Sequence, residues 1–266
     1  MGNGSLKHHA LEAARNVKDV FRFGPMFVSR HFDRLSGKDV STVNLKGYGD
    51  IHLRKGNSDV AVIRQVFGGK EYEIRGPRSV VDRIQGRYEA ILAEGGVPII
   101  VDAGANIGAA SVWFATRYPK AAVVSIEPDP ENARILTLNT QGRANCTVLE
   151  AALGADSGYA SLKGSDLGWA IQTERADSGV PIVTVEDAFK ASGGDTPFIV
   201  KIDIEGFERD VFSANLGWLD DAYMVFIEPH DWMLPGELSS SGFQRAMAAH
   251  DFELFLLGEN IAYVRV

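Results

Sequence analysis

Cysteine is almost absent from this sequence, since Cys146 is the only one among 266 residues. A single cysteine cannot form a disulfide within its own chain, so a domain held together by disulfides is excluded. The composition therefore favours a reducing compartment. Long apolar runs are also missing, and no stretch approaches the ~20 residues that a membrane-spanning helix requires. The first residues, Met1 to Leu6, lack the apolar block of a signal peptide. We predict a cytoplasmic protein without a membrane partner.

Positive charge is scarce as well. The chain has 27 Lys and Arg against 35 Asp and Glu, for a formal net charge of -8. A protein that binds nucleic acid without sequence preference needs a basic surface for the phosphates, so we expect no nucleic-acid partner.

The first third of the chain differs in pattern from the rest. Residues 8–34 are amphipathic and predict a helix broken at Gly24-Pro25, which packs on the main domain or serves as a contact in a homo-oligomer. Residues 42–54 predict short strands, and Asp59 is a candidate cap for a helix ending at Gly68-Gly69. We predict an N-terminal extension over 1–85 and a main domain over 86–266.

From residue 86 onwards, apolar runs typical of buried parallel strands alternate with helical segments. This pattern predicts an α/β fold with a doubly wound, mostly parallel sheet and an antiparallel hairpin at its end. The predicted strands are 99–101, 122–126, 146–149, 198–204 and 223–227, and the hairpin is 252–257 with 261–266.

A glycine-rich turn follows the first of these strands, with the spacing Asp102-x-Gly104-x-Asn106-x-Gly108. Glycines let a backbone approach a ligand closely, and the next helix offers unpaired N–H groups. A dinucleotide-binding turn has the spacing G-x-G-x-x-G instead. An acidic residue before the first glycine suits an ammonium group, so we predict S-adenosylmethionine (SAM), with Asp102 receiving its ammonium directly or through water.

Two further positions fit this cofactor. Glu127, followed by Pro128, ends the second strand where doubly wound folds bind ribose hydroxyls, a feature shared with NAD-binding folds. Ala152 follows the third strand, where a small residue leaves room for an adenine ring.

The fourth strand carries charges where apolar residues are expected. Lys201, Asp203 and Glu205 alternate with period two, and burying them is costly unless they pair or meet a ligand.

His230 follows the fifth strand and is a candidate general base, with Asp203 or Glu205 as alternatives. Asp203, Glu205 and His230 also offer ligands for a divalent metal, but no spacing compels a metal site, so none is assigned. Trp169, in the loop 164–169, is equally a substrate contact or a packing anchor.

Several of these segments together resemble the FkbM family of SAM-dependent methyltransferases over roughly residues 50–230. The resemblance depends most on the block Val200 to Glu208. Further matches are Val101 to Gly108, Ile126-Glu127-Pro128, Val183 to Asp187 and, more loosely, Arg54 to Asp59. Val185-Glu186-Asp187 departs from the family pattern, in which Leu-Asp is usual.

The resemblance implies a class I methyltransferase (Rossmann-like) fold with strand order 3-2-1-4-5-7-6 and O-methylation of a sugar, glycan or other small molecule. It also implies cofactor roles for Asp102, Gly104, Gly108 and Glu127, and active-site roles for Asp203 and Glu205. The alternatives that remain are an N-methyltransferase, a non-catalytic SAM-fold binding protein and an NAD-dependent oxidoreductase.

Overall fold

The structure is a computed structural model that describes residues 16–25, 27, 37–143, 145–164 and 171–266. The chain divides into two compact units, Met1–Gly69 and Lys70–Val266. Within the described part of the chain, no helix has both the length and the apolar character needed to cross a membrane.

The first unit contains a helix over residues 16–23 and the two-stranded antiparallel sheet β1 (Val40–Leu45) and β2 (Gly49–Arg54). A short helix, Asp59–Ile63, continues as a π-helix over Arg64–Gly68. Much of the predicted helix 8–34 lies outside the described residues. Phe21 on its described part is 82% exposed, and the oligomer contact through this segment stays a prediction.

The expected cap of the helix after β2 is wrong. Ser58 occupies the N-cap position, and Asp59 is the first helical residue. The Asp59 carboxylate is fully buried and accepts hydrogen bonds from the Arg54 backbone N–H at 2.6 Å and from the Arg54 guanidinium at 2.9 Å. A buried carboxylate is most stable against a bidentate arginine, and this pairing outweighs a capping bond.

The second unit is built on a seven-stranded sheet whose central strands are buried throughout, as their continuous apolar runs predict. Its order is β12-β13-β11-β10-β3-β4-β5. The strands are β3 (Pro98–Ala103), β4 (Ala122–Ile126), β5 (Cys146–Leu149), β10 (Thr196–Ile202), β11 (Met224–Ile227), β12 (Phe252–Leu257) and β13 (Asn260–Arg265).

All neighbours in this sheet are parallel except the terminal hairpin β12–β13, which pairs with β11 antiparallel. Counted along the main sheet, this is the strand order 3-2-1-4-5-7-6 that the resemblance implies, so the predicted fold class is confirmed. The helices of this unit are Arg78–Ala93, Ala109–Arg117, Pro130–Thr140, Val185–Ala191, Glu208–Val211, Trp218–Asp221 and Ser241–Ala248.

A second, four-stranded sheet was not predicted. Its order is β6-β9-β7-β8, and its strands are β6 (Ala152–Leu153), β7 (Gly158–Gly164), β8 (Ile171–Ala176) and β9 (Val180–Val183). These strands are short and partly exposed. Their sequences therefore do not contain the continuous apolar runs by which the strands of the main sheet were predicted.

The first compact unit ends at Gly69, and the predicted domain boundary after residue 85 stays a prediction. The segment between these positions belongs to the second unit because Tyr72 packs against Trp113, Phe114 and Phe226 there.

Candidate functional site

The turn after β3 brings two strand ends into contact. Gly104 has φ +71°, and a Cβ at this position would lie 1.6 Å from the backbone oxygen of Asp203, which follows β10. Only glycine fits such an approach. Gly108 is left-handed as well, and a Cβ there would lie 2.6 Å from a methyl carbon of Leu136. Asn106, between them, has φ +49°. The spacing noted in the sequence therefore reflects a tightly bent turn that contacts the next strand of the sheet.

A buried lysine ties this turn to β10. Lys201 is paired with Asp102 across β10 and β3, and its Nζ lies 3.1 Å from Asp102 Oδ1. The same ammonium donates to the carbonyl oxygens of Ala103 at 3.1 Å and Gly104 at 2.8 Å. Burial alone would lower the pKa of Lys201, but the charges of Asp102 and Asp203 outweigh it and raise that pKa. The group is a fixed internal cation.

Asp102 is fully buried beneath the turn. Its Oδ2 accepts a hydrogen bond from Ser111 Oγ at 2.6 Å, and Ser111 accepts in turn from Ser125. Its other oxygen faces Lys201. The sequence-based expectation was that Asp102 receives the ammonium of a ligand. In this structure both carboxylate oxygens of Asp102 face groups of the chain itself, and whether a ligand also contacts Asp102 stays a prediction.

Glu127 ends β4 at the same edge of the sheet and is 5% exposed. Its Oε2 accepts from the backbone N–H of Asn106 at 2.7 Å, and its Oε1 accepts from Asp129 N at 3.0 Å and Asn132 Nδ2 at 3.2 Å. A carboxylate has about four acceptor positions, so one position on Oε2 is left for a ligand hydroxyl. Burial raises the pKa of Glu127, and the backbone donors of Asp129 and Asn106 oppose the shift.

The remaining predicted cofactor positions lie apart from these contacts. Pro128 is half-buried after Glu127. Ala152 lies in β6, outside the main sheet, and is buried in a small cluster with Ala160, Ile182 and Phe207. The structure therefore gives Ala152 a packing role; whether it also faces an adenine stays a prediction.

On the other side of Gly104, three side chains converge at the ends of β10 and β11. His230 Nε2 lies 3.7 Å from Asp203 Oδ1 and 3.7 Å from Glu228 Oε1. His230 Nδ1 lies 2.8 Å from Glu208 Oε1, and both of these residues are buried. The Glu208 carboxylate also accepts from the backbone N–H groups of Ile204 and Gly206, both at 3.3 Å. We call Asp203, Glu228 and His230 the rim group.

The rim group is rich in carboxylates. Burial alone would lower the pKa of His230, but the hydrogen bond and charge of Glu208, with the charges of Asp203 and Glu228, raise it to about 9. Burial and the charge of Asp203 raise the pKa of Glu228 to about 8, against the influence of His230. At neutral pH the isolated chain therefore holds protons on this group. That state differs from the neutral imidazole that a histidine general base requires.

Glu205 does not follow the predicted alternation. β10 ends at Ile202, and Glu205 has φ +51° with Gly206 at φ +99°, so the chain turns away from a strand there. Among the described residues, the acidic clusters capable of holding an ion include Asp203, Glu228 and His230 but not Glu205. Trp169 lies outside the described residues.

Glu208 and Glu228 were not predicted as site residues. Both could have been recognised from the sequence. Ile227-Glu228-Pro229 repeats Ile126-Glu127-Pro128 at the end of a second buried strand, and Glu208 closes the block that begins at Val200.

Comparison with known proteins supports the resemblance found in the sequence. The model of the methyltransferase FkbM domain matches residues 102–256, more than half of the chain. The chain belongs to the methyltransferase FkbM domain family. The matched residues run from Asp102 at the turn through the whole rim group, so the family domain contains the site described above.

Named relatives of this FkbM domain are distant. Hexuronic acid methyltransferase AglP of Haloferax volcanii is 29% identical over 147 residues, which cover 53% of this chain and 59% of that protein. The chain thus spans about three fifths of this curated relative. A solved FkbM methyltransferase from Methylobacillus flagellatus KT has 18% identity and a TM-score of 0.44, covering 63% of this chain and 43% of that chain. Magnesium protoporphyrin IX methyltransferase of Synechocystis PCC 6803, solved with bound SAM, has 13% identity and a TM-score of 0.38, covering 94% and 95%.

Proposed function

We propose that this FkbM domain transfers a methyl group from SAM to a hydroxyl oxygen of a sugar or glycan. One observation carries the proposal: the Gly104 turn contacts the backbone of Asp203, the first residue of the rim group. A donor bound at the turn and an acceptor bound at the rim group would therefore be neighbours, as direct group transfer requires. The hexuronic acid named for the distant relative is a sugar, which supports this class of acceptor.

The residues at the turn suit SAM in two respects. Glu127 retains one acceptor position for a ribose hydroxyl, and the helix Ala109–Arg117 begins directly after Gly108 with N–H groups that lack partners within the helix. Asp102 acts through Lys201, whose ammonium holds the Gly104 carbonyl in place. We assign Asp102 and Lys201 as positioning residues rather than ligands.

SAM would supply a methyl group already activated on a sulfonium sulfur. The acceptor oxygen forms the new C–O bond, the C–S bond breaks to release S-adenosylhomocysteine, and the hydroxyl proton passes to the carboxylate of Asp203. Asp203 is the most exposed member of the rim group, with 27% of its side chain accessible. We propose that it accepts a hydrogen bond from the acceptor hydroxyl and orients one oxygen lone pair towards the methyl group.

Calorimetry with SAM, its demethylated product S-adenosylhomocysteine and NAD tests the cofactor. Transfer of radiolabelled methyl from SAM to a panel of hexoses, uronic acids and glycans tests the reaction. We expect both SAM and S-adenosylhomocysteine to bind and the label to enter an alkali-stable ether. Binding of NAD alone would contradict the proposal. A label released by mild alkali indicates a carboxylate acceptor, and a label on amines alone indicates N-methylation.

A further inference from the structure

We infer that the rim group is a binding site for one divalent cation of the Mn²⁺ class, with Asp203, Glu228 and His230 as its protein ligands. One ligand atom from each residue lies within 4.8 Å of the other two. Atoms 3.7 Å apart, as His230 Nε2 is from each carboxylate, can both lie about 2.1 Å from a single ion, the usual metal–ligand distance. This set contains Glu228 in place of Glu205, which the sequence offered beside Asp203 and His230 without compelling a metal site.

The orientation of His230 is an independent indication of a cation. Its side chain is 4% exposed, and Nε2 points at two carboxylates from 3.7 Å, beyond hydrogen-bond distance. Among the described residues, no hydrogen bond to Nε2 is found, while Nδ1 is held by the buried Glu208 at 2.8 Å. A carboxylate on the far nitrogen is the usual support of a histidine that ligates a metal, because it fixes the ring and its tautomer.

The negative charge around His230 also favours a bound cation. Three carboxylates, from Asp203, Glu208 and Glu228, surround one imidazole at the rim group. The nearby lysine does not balance them, because the single charge of Lys201 is shared between buried Asp102, at 3.1 Å, and Asp203, at 3.5 Å. When all three carboxylates are ionised, their negative charge exceeds the positive charge of the ring and of the shared lysine, and a divalent cation would offset it.

The role of the ion rests on the proposed function. An acceptor hydroxyl that attacks a methyl carbon becomes more negative as its proton leaves, and bare carboxylates would repel that charge. A divalent cation would reverse this effect by holding the oxygen and lowering the pKa of the hydroxyl. The carboxylate and imidazole groups of the rim group fit Mn²⁺, which accepts both oxygen and nitrogen ligands.

The test uses the full chain, treated with EDTA, desalted and titrated with Mn²⁺ while free ion is followed by electron paramagnetic resonance. We expect one bound equivalent, and pulsed spectra that show coupling to an imidazole nitrogen. Asp203→Asn and Glu228→Gln, both nearly isosteric, are each expected to weaken binding about tenfold or more, the typical loss on removing one metal-site partner.

Glu259→Gln is the matched control. Glu259 belongs to a second acidic cluster, with Glu71 and the shared Glu228, and that cluster has no histidine. We expect this variant to bind Mn²⁺ as the unaltered chain does. Loss of binding in Glu259→Gln, a bound ion without nitrogen coupling, or no bound Mn²⁺ would each overturn the site. The nitrogen coupling is measured on the unaltered chain, so the test does not depend on any variant folding.

Activity is a separate readout. Methyl transfer is expected to fall about tenfold or more after EDTA treatment and to return with Mn²⁺. Full activity in the metal-free protein would overturn the role of the ion. If no acceptor is methylated although SAM and Mn²⁺ both bind, the proposed function and the ion's role in it fail while the metal site stands.

Discussion

At the scale of single residues, Gly104 is the point where the predicted donor and acceptor sides touch. Its backbone is left-handed, and the space that a side chain would need is occupied by the Asp203 carbonyl. The two atoms that a Cβ at Gly104 would meet first are the carbonyl oxygen and carbon of Asp203. These backbone atoms cannot move aside as a flexible side chain would.

Gly104→Ala is therefore expected to cost about 4 kcal/mol or more, the range of severe steric and strain effects. Gly142→Ala is the control, since Gly142 is also left-handed at φ +81° but has open space around it. The control should lose only about 1–2 kcal/mol from the backbone conformation. Urea unfolding of both variants measures the difference, and equal losses would show that the contact with Asp203 is absent.

Lys201 offers a second test at this scale. Replacing it by Met leaves the carboxylate of Asp102 buried and without its cation, at a cost of about 3–5 kcal/mol. The double variant Lys201→Met, Asp102→Asn removes the unpaired charge and should recover part of that loss. If the double variant is no more stable than the single one in chemical denaturation, the two groups are not coupled.

Glu127 predicts a pH dependence of cofactor binding. Burial raises the pKa of its carboxyl more than the hydrogen bonds from Asp129, Asn106 and Asn132 lower it, so the group gains a proton at a higher pH than an ordinary glutamate. The charged form is the better hydrogen-bond acceptor. SAM affinity should therefore be full above this raised pKa and decline as the pH falls through it.

Calorimetry at a series of pH values, from about pH 8 down to about pH 4, where an ordinary glutamate titrates, measures the decline. Glu127→Gln should bind SAM about tenfold less tightly, as expected for a lost hydrogen bond to a charged group, and without this pH dependence. Glu131→Gln, an exposed position on the next helix, should match the unaltered chain. A variant at Glu127 that keeps full affinity would argue against its role.

The residues of the site were predictable to different degrees. Glycine spacing is local, so Gly104 and Gly108 could be identified from the chain alone, and both are required by contacts that the structure shows. The pairing of Asp102 with Lys201 depends on which strands are neighbours. A sequence pattern shows that each is charged, but not that they satisfy one another.

At the scale of elements, the helix Pro130–Thr140 begins with Asp129 at the N-cap, which accepts from Asn132 N at 2.8 Å, and with Pro130 in the first turn. This cap lies beside Glu127. The helix Val185–Ala191 is capped in a comparable way by Thr184, which forms a capping box with Asp187.

Asp129→Ala and Thr184→Ala should each cost about 1 kcal/mol, the usual loss of an N-cap. Only Asp129→Ala is expected to weaken SAM binding as well, because fraying of its helix loosens Asn132, a donor to Glu127. Thermal unfolding and calorimetry on both variants check this. Equal effects on SAM binding would mean that the helix start does not position Glu127.

The elements that could be predicted are those with a strong periodic signal. β4 and β5 occupy the predicted residues, because their apolar runs are bounded by clear breaks. The small sheet β6-β9-β7-β8 could not be found in this way. β8 contains the adjacent charged residues Glu174 and Arg175, and its pairing with β7 is a tertiary contact that local propensity does not encode.

At the scale of the whole molecule, the order of the seven strands decides where the site lies. β3 is flanked by β10 and β4, so the residues after all three strands meet at one edge. The fold class followed from alternating strands and helices, but the strand order came from the family resemblance. Neither the alternation of elements nor the resemblance predicted that the second unit begins at Lys70, because the packing of Tyr72 is not visible in a local sequence pattern.

Two truncated chains test where the second unit begins. A chain of residues 70–266 keeps Tyr72 and the whole helix Arg78–Ala93, and should unfold cooperatively. A chain of residues 86–266 loses Tyr72, Val80 and Ile84, each buried in the second unit. Removing several large core side chains costs about 2–5 kcal/mol each, which exceeds the stability of most domains. We expect the shorter chain to be insoluble or unfolded by circular dichroism. Equal stability of the two would favour the boundary after residue 85.

The approach of Gly104 to the Asp203 carbonyl has a consequence for recombination between members of this family. Positions 104 and 203 are far apart in the sequence but share one small volume, so a chimera with a crossover between them combines a turn and a strand end from different parents. Such a hybrid folds only when the parent of the first part has glycine at the turn or the parent of the second part has a strand end that leaves more room. The two segments therefore behave as one heritable block, and libraries that vary acceptor choice should exchange them together.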